Sequence, residues 1–407
     1  MEHMETYDIL QPVQHTKKRE IIGGQGAALF GSDGSVYLDF NEICVTLGQN
    51  NRHFIERMTG RLQGLTSNKA GYGPDKEKLM AFLTDTTGHA FSAIHLTASG
   101  SEATEWAVRM ALKLTGKSEI LSFWNSIHGR TYLSASMSGL PKRKTDYGPI
   151  APGVVFAPYP DCAHCPFEKQ CRPGEFFCLR FLEEKIRYES AGDIGAVIVE
   201  AYQGGGVILP PAGYLKALQD WTHAHGALFI LDEIQSGMGR TGQLYRYPAE
   251  GLDPDMLLLG KSLGNGLHIS ALLTRRAPDP RYIHALTGGA GDDALACTAA
   301  CAVFEELLEN GLLEQIDQHG RQMAEALDSL SRKYPAVAAV RHIGLAAAVE
   351  LRDAETQRKV LDGLQARRLF VSPAGHNGFM LKPPFTVTAR QMDEMAALLE
   401  DVLASLA

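Results

Sequence analysis

Short, uniformly apolar runs recur in the middle of the chain, and they constrain its fold more than any other feature. Three of them, at residues 196–199, 227–231 and 256–259, are separated by helices or loops, and a fourth follows at 271–273. Strands that are apolar on both faces are typical of a parallel sheet covered by helices on both sides. The sequence therefore predicts an α/β fold built on a mainly parallel sheet.

The two ends of the chain differ from this central part. Residues 1–45 are predicted to form an N-terminal arm that belongs to a small domain, and residues 46–285 a large domain. Residues 286–407, with long helices expected at 297–332, 355–368 and 388–405 and a few strands between them, are predicted to form a smaller C-terminal α+β domain. The segment 138–178 is rich in Pro, Gly and Cys, which favours a surface excursion from the large domain. A chain of 407 residues is long enough for two lobes with a sizeable core.

Composition and charge exclude several classes of protein. The chain is 45% hydrophobic and 21% charged, as is typical of a globular enzyme, and its formal charge is −8. That charge argues against a nucleic-acid or anionic-membrane partner. The N-terminus has neither the basic start nor the apolar core of a signal peptide, and no apolar run is long enough to span a bilayer. We expect a cytoplasmic protein.

Polar side chains follow three of the apolar runs at the point where each run ends. Glu200 and Asp232 come directly after two of them, and Lys261 follows the third after one glycine. In parallel α/β sheets ligands bind at the carboxyl ends of the strands. A partly desolvated amine there has a lowered pKa and acts as a nucleophile, whereas most lysines are solvated surface residues. We predict that Lys261 forms a Schiff base with pyridoxal phosphate and that Asp232 keeps the pyridine nitrogen protonated.

A phosphate site is predicted where a strand leads into a helix at Ser99-Gly100-Ser101. Free backbone N–H groups, small residues and hydroxyls at a helix start suit a phosphate, although a serine N-cap accounts for the same pattern. The segment is neither a Walker loop nor a Gly-x-Gly-x-x-Gly fingerprint. This counts against a nucleotide or dinucleotide enzyme.

Four of the seven cysteines cluster within the predicted excursion, at Cys162, Cys165, Cys171 and Cys178, with His164 among them. A Cys-x2-Cys pair is good spacing for zinc or an iron–sulfur centre. The alternative is a reduced surface segment with partly buried thiols, because a second Cys-x2-Cys pair is missing. No metal is needed for the predicted catalytic chemistry.

These residues, taken together, resemble a known family. Leu231-Asp-Glu-Ile-Gln235, followed some twenty positions on by Gly260-Lys261-Ser, looks like the class III aminotransferases, which are pyridoxal-phosphate enzymes of fold type I. The resemblance covers most of the chain. It extends to further segments: Asp33-Gly34, Tyr37-Leu-Asp-Phe40, Ser99-Gly-Ser-Glu-Ala103, His128-Gly-Arg-Thr131, Val199-Glu200 and Pro383-Pro384.

The resemblance implies an aminotransferase that moves an amino group from an amine or ω-amino acid to a 2-oxo acid by ping-pong chemistry. It makes Lys261 the residue that carries the cofactor and Asp232 the partner of its pyridine nitrogen. The other cofactor contacts that it implies fall on Gly100, Ser101, Ile127, His128, Glu200 and Gln235. Among these, Gly100 and Ser101 would bind the phosphate and Gln235 the ring hydroxyl.

The family also implies a homodimer in which each subunit donates a threonine to the phosphate held by the other. The donor region here is 286–296, which departs from the family's usual form, and Thr287 is the residue predicted to reach the partner.

Departures from the family pattern affect the substrate side. An aromatic residue usually precedes His128 and stacks on the cofactor, and here it is Ile127. Gly205 stands where many members carry a glutamate that switches an arginine between substrates. Arg130 is therefore predicted to be available to a substrate carboxylate at all times.

Decarboxylating relatives place an arginine shortly before the paired prolines, and here that position is Met380. Lys382 is close in sequence, but we expect it to point to the opposite face of the segment. Racemisation, epimerisation or decarboxylation on the same cofactor stay open as alternatives. A non-enzymatic cofactor-fold scaffold or a metal-binding module is an alternative of another class.

Overall fold

The computed structural model describes residues 20–64, 66, 73–167, 171, 175–276, 293–375 and 377–406. Its strands are β1 (Ile21–Gln25), β2 (Ala28–Gly31), β3 (Val36–Asp39), β4 (Ala93–Thr97), β5 (Glu119–Phe123), β6 (Val154–Ala157), β7 (Ile194–Glu200), β8 (Leu228–Asp232), β9 (Met256–Leu259), β10 (Ser270–Thr274), β11 (Val337–Ile343), β12 (Ala346–Leu351), β13 (Leu369–Phe370), β14 (Ser372–Ala374) and β15 (Gly378–Leu381). Its α-helices are α1 (Arg52–Leu62), α2 (Pro74–Thr86), α3 (Gly100–Thr115), α4 (Tyr132–Ser136), α5 (Phe177–Glu189), α6 (Tyr214–Ala224), α7 (Ala294–Phe304), α8 (Leu312–Lys333), α9 (Ala354–Ala366) and α10 (Ala389–Ala404).

Seven strands form the central sheet, in the order β4-β10-β9-β8-β7-β5-β6. Strands β6, β5, β7, β8 and β9 run parallel to one another, whereas β10 runs antiparallel to both of its neighbours, β9 and β4. The prediction of an α/β fold on a mainly parallel sheet is confirmed. The reversed strand β10 follows β9 after a short turn, which is too short for a parallel crossover connection.

Both faces of the central sheet are buried, which explains why β7, β8 and β9 are apolar at almost every position. On one face, Val197 and Leu231 pack into the cluster that contains Leu215 of α6. On the other face, Ile198 and Ile230 pack into the cluster that contains α3. Complete burial of such an aliphatic side chain contributes roughly 1.5–3 kcal/mol. The sheet is therefore a rigid platform, and the residues at its strand ends are held in fixed positions.

Two smaller sheets flank this core. One has the order β1-β2-β3-β13, in which Leu38 of β3 pairs in parallel with Leu369 of β13, so that the N-terminal strands join a strand from near the C-terminus. The other has the order β11-β12-β15-β14. Its strand β15 leads directly into Lys382 and the paired prolines, and the backbone N–H of Lys382 donates to Phe40 O at 2.7 Å.

The structure corrects two expectations. Residues 138–178 are not wholly a surface excursion, because β6 lies within them and forms the edge of the central sheet beside β5. The long C-terminal helix expected from residue 297 is broken between α7 and α8, where Gly311 adopts a left-handed φ of 72°. Within the described residues, no helix is both long and apolar enough to cross a membrane.

Candidate active site

Three adjacent strands of the central sheet bring the predicted catalytic residues together. Glu200 ends β7 and lies opposite Asp232, which ends β8, and Asp232 in turn pairs with Leu258 of β9. Two residues after β9, Lys261 begins a single turn of 3₁₀ helix. Its φ of 43° places a non-glycine residue in the left-handed region, a strained conformation that is common at functional sites. The register of the sheet thus places two carboxylates and one amine side by side at the carboxyl ends of β7, β8 and β9. We call this edge of the sheet the rim.

Asp232 is only 5% exposed, and both of its carboxylate oxygens are engaged. Its Oδ2 lies 2.8 Å from Nδ1 of His128, and its Oδ1 accepts from the backbone N–H of Ile234 at 3.0 Å. His128 is itself buried, and its backbone N–H donates to Ser138 Oγ at 3.0 Å. Among the described residues, Nε2 of His128 has no partner. The pair holds the aspartate in a fixed orientation toward the rim.

Glu200 ties two loops to the end of β7. Its Oε2 accepts from the backbone N–H of Ile127 at 3.1 Å, and its Oε1 from that of Gly204 at 3.0 Å. Burial raises the pKa of this carboxyl, the nearby Asp232 raises it further, and His128 opposes both. Glu200 therefore orders both the loop before α4 and the glycine-rich loop after β7.

Burial lowers the pKa of the Lys261 amine, and the positive charge of Arg130 lowers it further, whereas Asp232 and Glu200 raise it. Because the neutral amine is the nucleophilic form, a lowered pKa increases the fraction able to attack a carbonyl near neutral pH. The two carboxylates oppose this shift, because they favour the protonated amine. This balance suits an amine that must both form a bond and carry a proton.

The predicted phosphate cradle lies at the start of α3, directly after β4. Ser99 is the N-cap and its Oγ accepts from the backbone N–H of Glu102 at 3.2 Å, while the first N–H groups of the helix have no acceptor within it. A Cβ at position 100 would lie 2.9 Å from Ile234 Cδ1, so a larger residue there would require the Ile234 side chain, in the loop after β8, to shift. Ser101 Oγ accepts from the backbone N–H of Arg130 at 3.0 Å.

The substrate side of the rim is formed by the loops that Glu200 orders. Ile127 is half-buried and faces the glycine-rich loop, where a Cβ at Gly205 would lie 3.4 Å from Ile127 Cδ1. Arg130 is exposed, and no ion pair engages its side chain within the described part of the chain. A guanidinium that faces solvent beside a nucleophilic amine is suited to a carboxylate on the substrate.

Gln235 lies at the rim with a partner that the sequence did not predict. Its Oε1 accepts from Nζ of Lys382 at 2.9 Å, and Tyr202 OH lies 3.4 Å from the same oxygen. The expectation that Lys382 points away from this site is wrong. Positions 380 and 382 are two apart in an extended segment and so share a face, and β15 ends at Leu381 immediately before the lysine turns inward.

Arg240 is a second residue whose role was missed. It is fully buried, and its guanidinium donates to the carbonyl oxygens of Leu345 at 2.9 Å and Pro383 at 2.6 Å. It also donates to the carbonyl oxygen of Glu42 at 3.1 Å and stacks on Phe385. The only signal in the sequence was its position in Gly239-Arg-Thr-Gly242, a few residues after the family-like segment Leu231-Asp-Glu-Ile-Gln235. Arg240 joins three distant chain segments behind the rim.

Thr287 lies outside the described residues. The four clustered cysteines are described, and all of them line one cavity of about 20 Å³ beside Tyr159. Within the described part of the chain, no three His, Cys, Asp or Glu side chains are arranged to hold a metal ion. Burial raises the pKa of the Cys178 thiol to about 12, and the neighbouring Cys171 adds to the effect, so this thiol is protonated at neutral pH.

The donor set at the rim fits pyridoxal phosphate. A buried carboxylate fixed by a histidine matches a protonated pyridine nitrogen, and a desolvated lysine amine matches an aldehyde. A helix start with a close-packed glycine and a serine hydroxyl matches a phosphate. The fold and this donor set define a pyridoxal-phosphate-dependent enzyme of fold type I.

The chain belongs to the class III aminotransferase family, whose family model, "Aminotransferase class-III", matches residues 11–403. It is 30% identical over 398 residues to an acetylornithine aminotransferase of Caldanaerobacter subterraneus, covering 95% of each chain. It is 28% identical to a leucine/methionine racemase of Thermococcus litoralis, covering 94% of this chain and 90% of the relative. An amine transaminase from an uncultivated Pseudomonas species, solved with bound pyridoxal phosphate, superimposes with a TM-score of 0.88 at 26% identity over 99% of each chain. The protein is an aminotransferase, and its cofactor is pyridoxal phosphate.

Proposed function

We propose that this aminotransferase takes an amino group from an amine or ω-amino acid and delivers it to a 2-oxo acid, with Lys261 as the residue bonded to the cofactor. The observation that carries the proposal is the position of Lys261 beside Asp232 and Glu200, at the ends of adjacent buried strands. Pyridoxal phosphate supplies an electron sink and carries the amino group between the two substrates. Lys261 then holds or moves the proton on the carbon next to the transferred nitrogen.

The other rim residues orient the cofactor in this proposal. Asp232 pairs with the pyridine nitrogen, and His128 keeps the aspartate in place through the 2.8 Å contact. Gly100 and Ser101 hold the phosphate at the start of α3, and Ile127 packs on one face of the ring. Gln235 donates to the ring oxygen. Asp232 at the end of β8, and Gly100 and Ser101 at the start of α3, are held by rigid elements, as such roles require.

Arg130 is proposed to bind the carboxylate of the 2-oxo acid. Its guanidinium has no ion-pair partner within the described part of the chain, and Gly205 supplies no competing carboxylate. A carboxylate bound in bidentate fashion would orient the acceptor against the amine of Lys261. The similarity to an acetylornithine aminotransferase and to an amine transaminase supports a donor with a primary amine at the end of a chain.

The protein is further proposed to act in the cytoplasm as a homodimer in which Thr287 of each subunit reaches the phosphate bound by the other. The resemblance to the class III aminotransferase family carries this proposal. The large domain at 46–285 would then hold the cofactor, with residues 1–45 and 286–407 around it. Sedimentation of the purified protein with bound cofactor measures the assembly directly.

A second candidate function is racemisation of an amino acid on the same cofactor. The 28% identity to a leucine/methionine racemase over nearly the whole chain favours it, because the rim residues do not select which bond of the substrate breaks. A racemase needs no 2-oxo acid. The two functions therefore differ in whether an acceptor is consumed.

The test is a matrix of amino donors and 2-oxo acids, followed by absorbance and by product analysis. An amine or ω-amino acid added alone should reduce the visible absorbance of the bound cofactor, and a 2-oxo acid should restore it. Inversion of a single amino acid without any acceptor, at a rate that exceeds amino transfer, would replace the proposal with the racemase function.

A further inference from the structure

Lys382 is a second buried lysine at the rim, and the reaction described above does not use it. It is 3% exposed and follows β15 directly. Its Nζ donates to Gly204 O at 2.9 Å and to Gln235 Oε1 at 2.9 Å. Among the described residues, no carboxylate forms an ion pair with it. Two neutral oxygens are thus the partners of a buried ammonium group.

A buried ammonium without a carboxylate partner is costly, because neutral acceptors only partly replace the water that it loses. Burial, together with the positive charges of Lys261 and Arg240, lowers the pKa of Lys382 to about 7, and Glu200 opposes the shift. A methionine or leucine would fill this position without that cost. The presence of a lysine at this position therefore indicates that it acts on the groups it contacts, Gly204 and Gln235.

The contact with Gln235 fixes the orientation of the amide. An ammonium group has donors only, so the atom of Gln235 that faces it must be the oxygen. Tyr202 OH lies 3.4 Å from the same oxygen and is the second group positioned to donate to it. The Nε2 of Gln235 must then point the other way. Without such a donor, the two orientations of an amide differ little in energy and the group can turn over.

The contact with Gly204 fixes the loop on the other side. Gly204 O accepts from Lys382, while the backbone N–H of the same residue donates to Glu200 Oε1 at 3.0 Å. A Cβ at position 204 would lie 2.5 Å from Nε2 of Gln235, so the amide packs directly on this loop. Lys382 therefore joins the glycine-rich loop and Gln235 into one unit.

We infer that Lys382 is a positioning residue: its Nζ, which donates to Oε1 of Gln235, locks the Gln235 amide so that the N–H groups of Gln235 face the ring oxygen of the cofactor. This inference rests on the proposed function for the identity of the group that Gln235 contacts. A donor at the ring oxygen stabilises its deprotonated form. With the cofactor bound, such a donor would lower the pH at which its visible absorbance titrates.

The test is the pH dependence of the visible absorbance of the bound cofactor in four holoenzymes: wild type, Lys382→Met, Gln235→Leu and the double variant. The midpoint should rise by about one pH unit in each single variant, which corresponds to the loss of one hydrogen bond to a charged group. In the double variant it should rise little beyond the Gln235→Leu value, because Lys382 acts through Gln235. Lys216→Met, on the exposed part of α6, is the matched control and should titrate as wild type.

Either of two results overturns the inference: a Lys382→Met midpoint equal to that of wild type, or a double variant in which more than half of the Lys382→Met shift adds to that of Gln235→Leu. Circular dichroism and the amount of bound cofactor establish that each variant folds. If Lys382→Met does not fold, Lys382→Gln removes the charge at similar size and replaces it in the same comparison. A failure of the proposed function would be distinct, since Lys261→Ala protein would then bind the cofactor with unchanged absorbance.

Discussion

The rim at the ends of β7, β8 and β9 and the cysteine cluster at 162–178 both collect reactive side chains, but only the rim arranges them. At the rim, Glu200, Asp232 and Lys261 are fixed by strand register, and each carboxylate has hydrogen-bonded partners. The four thiols line one cavity, three of them from outside the helices and strands and Cys178 from the start of α5, and no three of them, within the described residues, are placed for a metal ion. Reactive residue types alone do not form a functional site; regular secondary structure must also fix their positions relative to one another.

Removal of the amine at the rim should have the largest effect. Lys261→Ala removes both the proposed covalent attachment and the proposed proton carrier, so amino transfer should fall by at least 10²- to 10⁴-fold, the range for loss of a general base. The visible absorbance of the bound cofactor should change at the same time. Single-turnover kinetics with the best donor measures the first effect. Turnover within tenfold of wild type would contradict the assignment of Lys261.

Removal of the buried charge beside it should have the next largest effect. Asp232→Asn keeps the size of the side chain but removes the charge proposed to pair with the pyridine nitrogen, and it alters the contact with His128. We expect a loss in kcat on the order of 10²- to 10³-fold, comparable to removing one preorganised electrostatic group. Asp193→Asn is a useful control because Asp193 lies on the surface before β7, far from the rim. Equal effects of the two substitutions would remove Asp232 from the site.

The exposed arginine should affect one substrate more than the other. Arg130→Ala is expected to raise KM for the 2-oxo acid by about 10- to 100-fold, which corresponds to about 1.5–3 kcal/mol for hydrogen bonds to a charged group. A donor amine without a carboxylate should be nearly unaffected, and it serves as the internal control. Initial rates at varied concentrations of each substrate separate the two. Equal changes for both would show that Arg130 does not select for a carboxylate.

The buried lysine behind the rim predicts a pH dependence of stability. Burial lowers the pKa of Lys382 to about 7, whereas a lysine in the unfolded chain titrates near 10.4. Between these pH values the unfolded chain binds more protons than the native one, so stability rises with pH relative to a variant without this group. The unfolding midpoint of wild type, measured against that of Lys382→Met, should therefore increase from about pH 7 to about pH 10. Parallel curves for the two proteins would contradict the lowered pKa.

The contrast between the rim and the rest also explains what the sequence could predict. Asp232 and Lys261 follow uniformly apolar runs, a local pattern that encodes both a buried strand and its ligand-binding end. Lys382 and Gln235 are 147 positions apart, and Arg240 contacts a carbonyl oxygen 105 positions away, so no local pattern records these contacts. Likewise, β10 is mainly apolar, as the parallel strands of the sheet are, and its sequence contains no sign that it runs in the reverse direction.

The smallest effect is expected at the cysteine cluster at 162–178. It tests whether reactive side chains that regular structure does not arrange lack a function. Cys162 and Cys165 lie outside the regular elements, so replacing both by serine should change the unfolding midpoint little, since exposed substitutions usually stay within about 0.5 kcal/mol. Amino transfer should remain within about twofold of wild type, because Glu200, Asp232 and Lys261 are not among the residues that line this cavity. Metal analysis of wild-type protein purified without added metal should give well under one ion per chain. One metal ion per chain in wild type that is lost in Cys162→Ser/Cys165→Ser would show that a segment outside the sheet forms a metal site. The conclusion that a site here requires side chains fixed by strand register would then be wrong.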